Sequence, residues 1–282
     1  MPGDVGQTSL ATRGCPAFFY NSRMNCLNLS HRSSVFLRLW AVWLTAVLLS
    51  GCATPPAPTQ AEALAASPWA LASTQQAGQQ LWAHREFPGK VATLYNYQKL
   101  EGRHAMSVEA NASASMLRQV VHIAPAELGA FKFSWKVADL LAQADMARRD
   151  ADDSPVRIVL AFEGDRSQFS AKNSMLSELS LLLTGEPLPY ATLMYVWCNT
   201  RAPGTVIVNP RTDRIRKLVV ESGALHLNQW LDYERNVRAD FEKAFGEAPG
   251  ALVGIGIMTD SDNTQARTRA WYGPLQLAKS RP

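Results

Sequence analysis

The loop Asp260-Ser261-Asp262-Asn263-Thr264 sets five oxygen-bearing side chains in a row, directly after the apolar stretch 251–258. Oxygens this closely spaced suit a hard cation such as calcium, with Asp260, Asp262 and Asn263 as its ligands. They equally suit a turn in which Asp and Asn bond their own backbone. Only about four oxygens are evident, where calcium takes six or more. Asp152-Asp153, with Glu163 and Asp165 at the far end of the next apolar segment, form a second acidic group. Paired carboxylates can serve as acid and base in glycoside chemistry, but the spacing sets no separation between them. A solvated loop is the competing reading.

A third group is aromatic: Trp135, Tyr195, Trp197, Trp230, Trp271 and Tyr272. Their faces stack on sugar rings, and they fill a core equally well. For a polar ligand such as a glycan, the candidate contacts are Trp135, Tyr195, Trp197, Trp230 and Trp271 by stacking. Lys136, Asp152, Asp153, Arg235, Asp240, Asp260, Asp262 and Asn263 would bond its hydroxyls.

The common catalytic signatures are missing: there is no Gly-x-Ser-x-Gly elbow, His-Glu-x-x-His, phosphate loop or Cys-x-x-Cys. Cys198 ends an apolar strand and reads as a buried, inert thiol. His84, His104, His122 and His226 lack metal-ligand spacing. Gly254-Ile-Gly256 reads as a strand with tight backbone packing. Arg211, Arg214, Arg216 and Lys217 read as a solvated strand edge, where cations discourage pairing.

The elements that position these residues are mostly strands. In Phe131-Lys-Phe-Ser-Trp-Lys-Val137 and Val156-Arg-Ile-Val-Leu-Ala-Phe162 the apolar residues alternate on one face. Similar segments at 91–97, 104–110, 115–123, 191–198, 204–209, 213–221, 251–258 and 268–277 bring the total to ten. Crossover helices at each step are absent, so the pattern predicts an all-β, antiparallel β-sandwich of jelly-roll type with two inserted helices. The first helix carries a stripe of Met175, Leu176, Leu179, Leu182 and Leu183, stopped by Gly185 and Pro187. The second sets Trp230, Tyr233, Val237, Phe241 and Ala244 on one face, with a Glu234–Arg238 pair outside and Gly246 as terminator.

With 47% hydrophobic residues the chain is no disordered polymer. The four arginines and one aspartate of residues 1–51 account for three of the formal +4, leaving +1 for the rest. No nucleic-acid partner is expected from so balanced a domain.

Leu39 to Leu49 is apolar except for Thr45 and follows Arg32 and Arg38. Eleven residues at about 1.5 Å each cover roughly half of a bilayer core, the length of a signal core rather than a spanning helix. The run ends in Leu49-Ser50-Gly51-Cys52, which looks like the lipobox of bacterial lipoproteins and predicts lipidation of Cys52. The stretch from Met24 to Gly51 has ordinary signal length, so Met24 is the expected start. Residues 52–68 read as a Pro/Ala-rich tether and 69–282 as a single sandwich domain. Ala53, after the lipidated Cys, resembles the class sorted to the outer membrane, with the domain facing the periplasm. With Cys52 acylated, Cys198 has no intrachain partner.

The blocks Phe133-Ser-Trp-Lys-Val137, Asp152-Asp-Ser-Pro155, Ala191-Thr-Leu-Met-Tyr-Val-Trp197, Val220-Glu-Ser-Gly223, Trp230–Phe241, Ala244-Phe-Gly246 and Met258–Thr264 together resemble the bacterial family called domain of unknown function 3047. The resemblance covers about residues 82–277. It implies an envelope or secreted jelly-roll-like domain, similar in kind to carbohydrate-binding modules, and brings no assigned catalytic residue. Three functions follow as expectations. The first is an envelope lipoprotein that binds a glycan or similar ligand. The second is a hydrolase or lyase on envelope polysaccharide, using Asp152, Asp153, Asp240, Asp260 and Asp262. The third is a structural or assembly lipoprotein that meets other envelope proteins and no small ligand.

Overall fold

The computed structural model describes Trp69 and residues 82–279, all within one compact unit. The signal region, Cys52 and the tether lie outside the described residues. Among the described residues thirteen strands form two sheets. The first has seven strands in the order β1 (Ala83–Glu86), β4 (Ala114–Ile123), β11 (Leu252–Asp260), β6 (Ser154–Phe162), β7 (Ala191–Cys198), β9 (Ile215–Ser222) and β8 (Val206–Val208). The second runs β10 (Leu231–Asn236), β5 (Leu128–Val137), β12 (Arg267–Tyr272), β3 (Arg103–Asn111) and β2 (Leu94–Leu100), with β13 (Gln276–Lys279) also on β5. All pairs are antiparallel except β7 with β9. The expected sandwich is present, with this one parallel pair inside it.

The core lies between the sheets, where period-two alternation sends one face of each strand inward. Phe131, Phe133 and Trp135 of β5 meet Ile158, Leu160 and Phe162 of β6 and Leu193, Tyr195 and Trp197 of β7, all nearly inaccessible. Each such side chain contributes roughly 1.5–3 kcal/mol on burial. Trp69 joins them, its indole N–H donating to the Tyr272 carbonyl at 2.9 Å. A smaller cluster of Met146, Val196, Cys198, Ile207 and Val219 covers the opposite side of β7 and β9.

Helix α1 (Ala171–Thr184) starts with Ser170 accepting from the Asn173 amide and ends at Gly185, whose φ of 76° is left-handed. The second helix is shorter than its apolar spacing predicts. Residues 231–236 form strand β10, and α2 occupies only Val237–Phe245, capped by Asn236. Pairing with β5 in register from Leu231↔Trp135 to Asn236↔Ala130 overrides the helical period. Glu234 accordingly pairs across the sheet with Lys132, and Arg238 pairs within α2 with Glu242. The expected Glu234–Arg238 pair is not formed.

The basic stretch is not a solvated edge. Strand β9 lies inside the sheet, and Lys217 is fully buried. Arg214 donates to the Tyr190 carbonyl and to Glu247, and Arg216 to the Ala244 carbonyl.

Candidate ligand-binding groove

The core uses one face of the seven-stranded sheet. The other face carries Met116 and Arg118 of β4, Gly254, Gly256 and Met258 of β11, Val159 and Ala161 of β6, and Met194 of β7. Helix α1 lies over it as a roof. Between roof and floor are two contiguous cavities of about 440 and 540 Å³, both lined by Leu183, Met194 and Met258. A Cβ on Gly256 would stand 2.8 Å from the Met116 sulfur, so glycine there lets the methionine lie across the floor.

The roof is pinned at its two ends. Asn173 donates to Asp213 at 2.7 Å and accepts from Thr212 at 2.8 Å. Beyond the other end, Arg118 grips Glu186 through two bonds of 2.7 and 2.9 Å, and Arg85 pairs with the same carboxylate. Between the pins the helix buries only Asn173 and Ser177. Met175, Leu179, Leu181, Leu182 and Leu183 are all about half exposed or more, Leu182 reaching 83%. The expected apolar stripe does not dock into a core.

One mouth of the groove is a charged cluster. Arg157 of β6 donates from Nε to Asp260 Oδ1 (2.8 Å) and from Nη2 to Asp260 Oδ2 (2.9 Å) and Asp152 Oδ1 (3.1 Å). Lys217 donates to Asp152 Oδ1 at 2.6 Å, and Asn209 to Asp152 Oδ2 at 3.0 Å. Arg157, Asp152, Asp260 and Lys217 are all sealed from solvent, so their charges are compensated by one another. Burial pushes the Asp260 carboxyl up to about 6, against the pull of Arg157. For Asp152, burial acts in the same sense, but Arg157 and Lys217 outweigh it and hold the carboxyl below its usual range. Burial, with Arg157 alongside, lowers Lys217 to about 8.

The acidic loop docks onto this cluster. Asp153 accepts from the Asn263 and Thr264 amides (3.2 and 2.7 Å), the Asn263 side chain (2.8 Å) and the Thr264 hydroxyl (2.7 Å). Asp262 pairs with Lys90. Asp153, Asp260 and Asp262 bring carboxylate oxygens within 4.8 Å of one another, a cation-like grouping. A cation there would share oxygens already bonded to Arg157, Lys90 and the 263–264 segment.

The remaining predicted residues fall elsewhere. Trp135, Tyr195 and Trp197 are core, the last donating to the Gly223 carbonyl at 2.9 Å. Arg235 clasps Asp240 through two bonds of 2.8 and 2.5 Å, and the Tyr195 hydroxyl donates to Asp240 at 2.9 Å. That network lies away from the groove mouth and holds α2 to the sheets. Lys136 and Trp271 sit paired on the outer face of the six-stranded sheet, Lys136 also bonding Glu101. Trp230, with the Arg103 guanidinium 5.3 Å from its ring, precedes Asp232 by two residues and so shares that face. The expected single site therefore separates into an acidic cluster on one sheet and an aromatic row on the other.

Sequence reasoning missed Arg157, Lys90, Asn209 and the methionine floor. One signal was available. Leu181-Leu182-Leu183 are consecutive, and no single stripe of a helix can bury all three.

No curated protein matches the chain by sequence. Among solved structures, the xyloglucanase domain of NopAA, a type three effector from Sinorhizobium fredii solved with cellobiose, aligns at 8% identity. Its TM-score is 0.39, over 71% of this chain and 94% of that one. A thermostable cellulase derived from that of Rhodothermus marinus aligns at 8% identity and a TM-score of 0.39, covering 72% and 93%. A carbohydrate-binding module specific for non-crystalline cellulose aligns at 15% identity and a TM-score of 0.33, covering 74% and 95%. Likeness at this level says nothing of what the chain binds. The family model described as protein of unknown function (DUF3047) matches residues 80–276, and the chain belongs to that family.

Proposed function

We propose that this protein is a lipoprotein of the bacterial outer membrane, anchored through Cys52 and facing the periplasm. Its sandwich domain binds an elongated ligand in the groove beneath α1 without turning it over. One observation carries the binding role: an apolar groove between described residues, whose roof is pinned at both ends while the lining leucines 179 and 183 stay about half exposed or more. A helix apolar on several sides is ordinarily buried, so the groove is built for a guest. Binding is favoured over hydrolysis because Asp152 and Asp260 are bridged by the same arginine. Both carboxylates have oxygens engaged there and are nearly closed to solvent, so neither is presented to a substrate bond. The test is a thermal-shift panel of oligosaccharides, peptides and lipids against the wild type and Ala161→Trp, which fills the floor. A stabilising ligand should lose its effect in the variant, and an undiminished shift would reject the groove.

A second reading, glycan binding, has its own observation. Trp271 and Trp230 are partly exposed on the outer face of the six-stranded sheet, near Lys136 and Arg103, whose donors suit hydroxyls beside a stacked ring. Trp271→Ala should abolish oligosaccharide binding there while leaving groove ligands unaffected. Unchanged oligosaccharide affinity would remove this reading.

A further inference from the structure

The chemistry of the groove wall narrows the guest to one class, on the footing that the groove is a binding site at all. Along its middle the wall is Met116, Met194, Met258, Leu179 and Leu183, with the flexible thioethers facing the leucines. Of the three hydroxyl-bearing side chains lining the larger share of this wall, Ser180, Thr184 and Thr192, two have their protons committed. Ser180 donates to the Glu186 carbonyl at 2.9 Å and Thr184 to the Ser180 carbonyl at 2.8 Å. A sugar or a peptide laid along it would bury polar groups without partners, which is unfavourable. An unbranched hydrocarbon chain would not.

The mouth supplies the complement for a head group. Arg157 is 3% exposed in its side chain, and its Nε and Nη2 hydrogens are taken by Asp260 and Asp152. Its Nη1 meets only the Met194 sulfur, at 3.9 Å. Met194 lines both cavities, so this buried guanidinium nitrogen faces the groove with donors that lack an oxygen. The carboxylates around it are already engaged: Asp260 accepts from Arg157, Asp152 from Lys217 and Arg157, Asp262 from Lys90, and Asp153 from the neutral donors of Asn263 and Thr264. A donor without an acceptor, at the end of an apolar channel, fits an oxygen acceptor at the end of an alkyl chain.

We infer that the groove binds a long-chain acyl compound, with its head oxygens on Arg157 Nη1 and its chain between the methionine floor and α1. The test uses the full chain, purified in digitonin, a neutral steroidal glycoside without a carboxylate or a long alkyl chain. A 16-carbon fatty acid bearing a terminal diazirine is photocrosslinked, and the labelled residues are located by peptide mass spectrometry. Label should fall on the Met116, Ala161 and Leu183 side of the groove and be displaced by hexadecanoate at about one-tenth the concentration needed of hexadecanol, a ratio worth about 1.4 kcal/mol. Leu183→Glu, at an exposed position that does not threaten folding, should abolish it, as should Ala161→Trp. Equal displacement by acid and alcohol, or label confined to the outer leucines 181 and 182, overturns the inference. If an oligosaccharide or peptide is lost in Ala161→Trp while hexadecanoate never competes, the acyl class falls and the binding groove stands. If no ligand responds to either variant, both fall.

Discussion

Arg157 and Asp260 face each other across neighbouring strands and join through two bonds of 2.8 and 2.9 Å, with both side chains sealed from solvent. Asp260 also accepts from the Ser154 amide at 3.0 Å. It is thus the last residue of a strand locked to its neighbour, not the first residue of a free loop.

Removing one partner of such a pair strands a buried charge, at a cost of about 3–5 kcal/mol. Asp260→Ala should therefore lower unfolding free energy in urea by that order. Asp262→Ala breaks only its pairing with Lys90, which is itself 45% exposed, and should cost less than about 1 kcal/mol. Equal losses at the two positions would show that the locked pair is not what holds the 260–264 segment.

Lys217 sets a pH dependence. Its folded value of about 8 lies below the ordinary 10.5, so the folded state favours the neutral amine. That contribution is fully present above about pH 10.5 and is lost as pH falls to about 8. Relative to Lys217→Met, whose other groups titrate alike, the wild type should gain melting temperature between pH 8 and 10.5. Parallel melting curves across that range would contradict it.

Calcium tests the acidic group from another side. Asp153 is saturated by the 263–264 segment, and Asp260 and Asp262 by cationic side chains. Melting in millimolar calcium should match melting in chelator. A site filled to a hundred times its dissociation constant would instead add about 2.7 kcal/mol, an easily measured upward shift.

Lipidation at Cys52 is read from the Leu49–Cys52 lipobox and the apolar run before it. Cys52→Ser should leave an unprocessed precursor that takes up no labelled palmitate in cells, since only a thiol can be alkylated there. Palmitate incorporation that persists in the variant would place the anchor elsewhere.

Much of the fold is legible in the chain itself. Alternation in 131–137 and 156–162 assigns those strands and their core-facing sides, because a period of two is imposed by the pleat and needs no partner to be read. Gly185 and Gly246 end their helices at left-handed φ, a local property of residues without Cβ. Only the tertiary structure decided the rest. Residues 231–236 carry a helical period, yet pair with β5, since a sheet edge offers backbone bonds that local propensity cannot weigh. Asp152 with Arg157, Lys217 and Asp260 come from three separate parts of the chain, and their meeting depends on strand order and register. The leucines of α1 read as core because apolar spacing reports that a face is to be covered. It does not report by what, and here Leu176, Leu179 and Leu183 line a groove while Leu181 and Leu182 lie outside it.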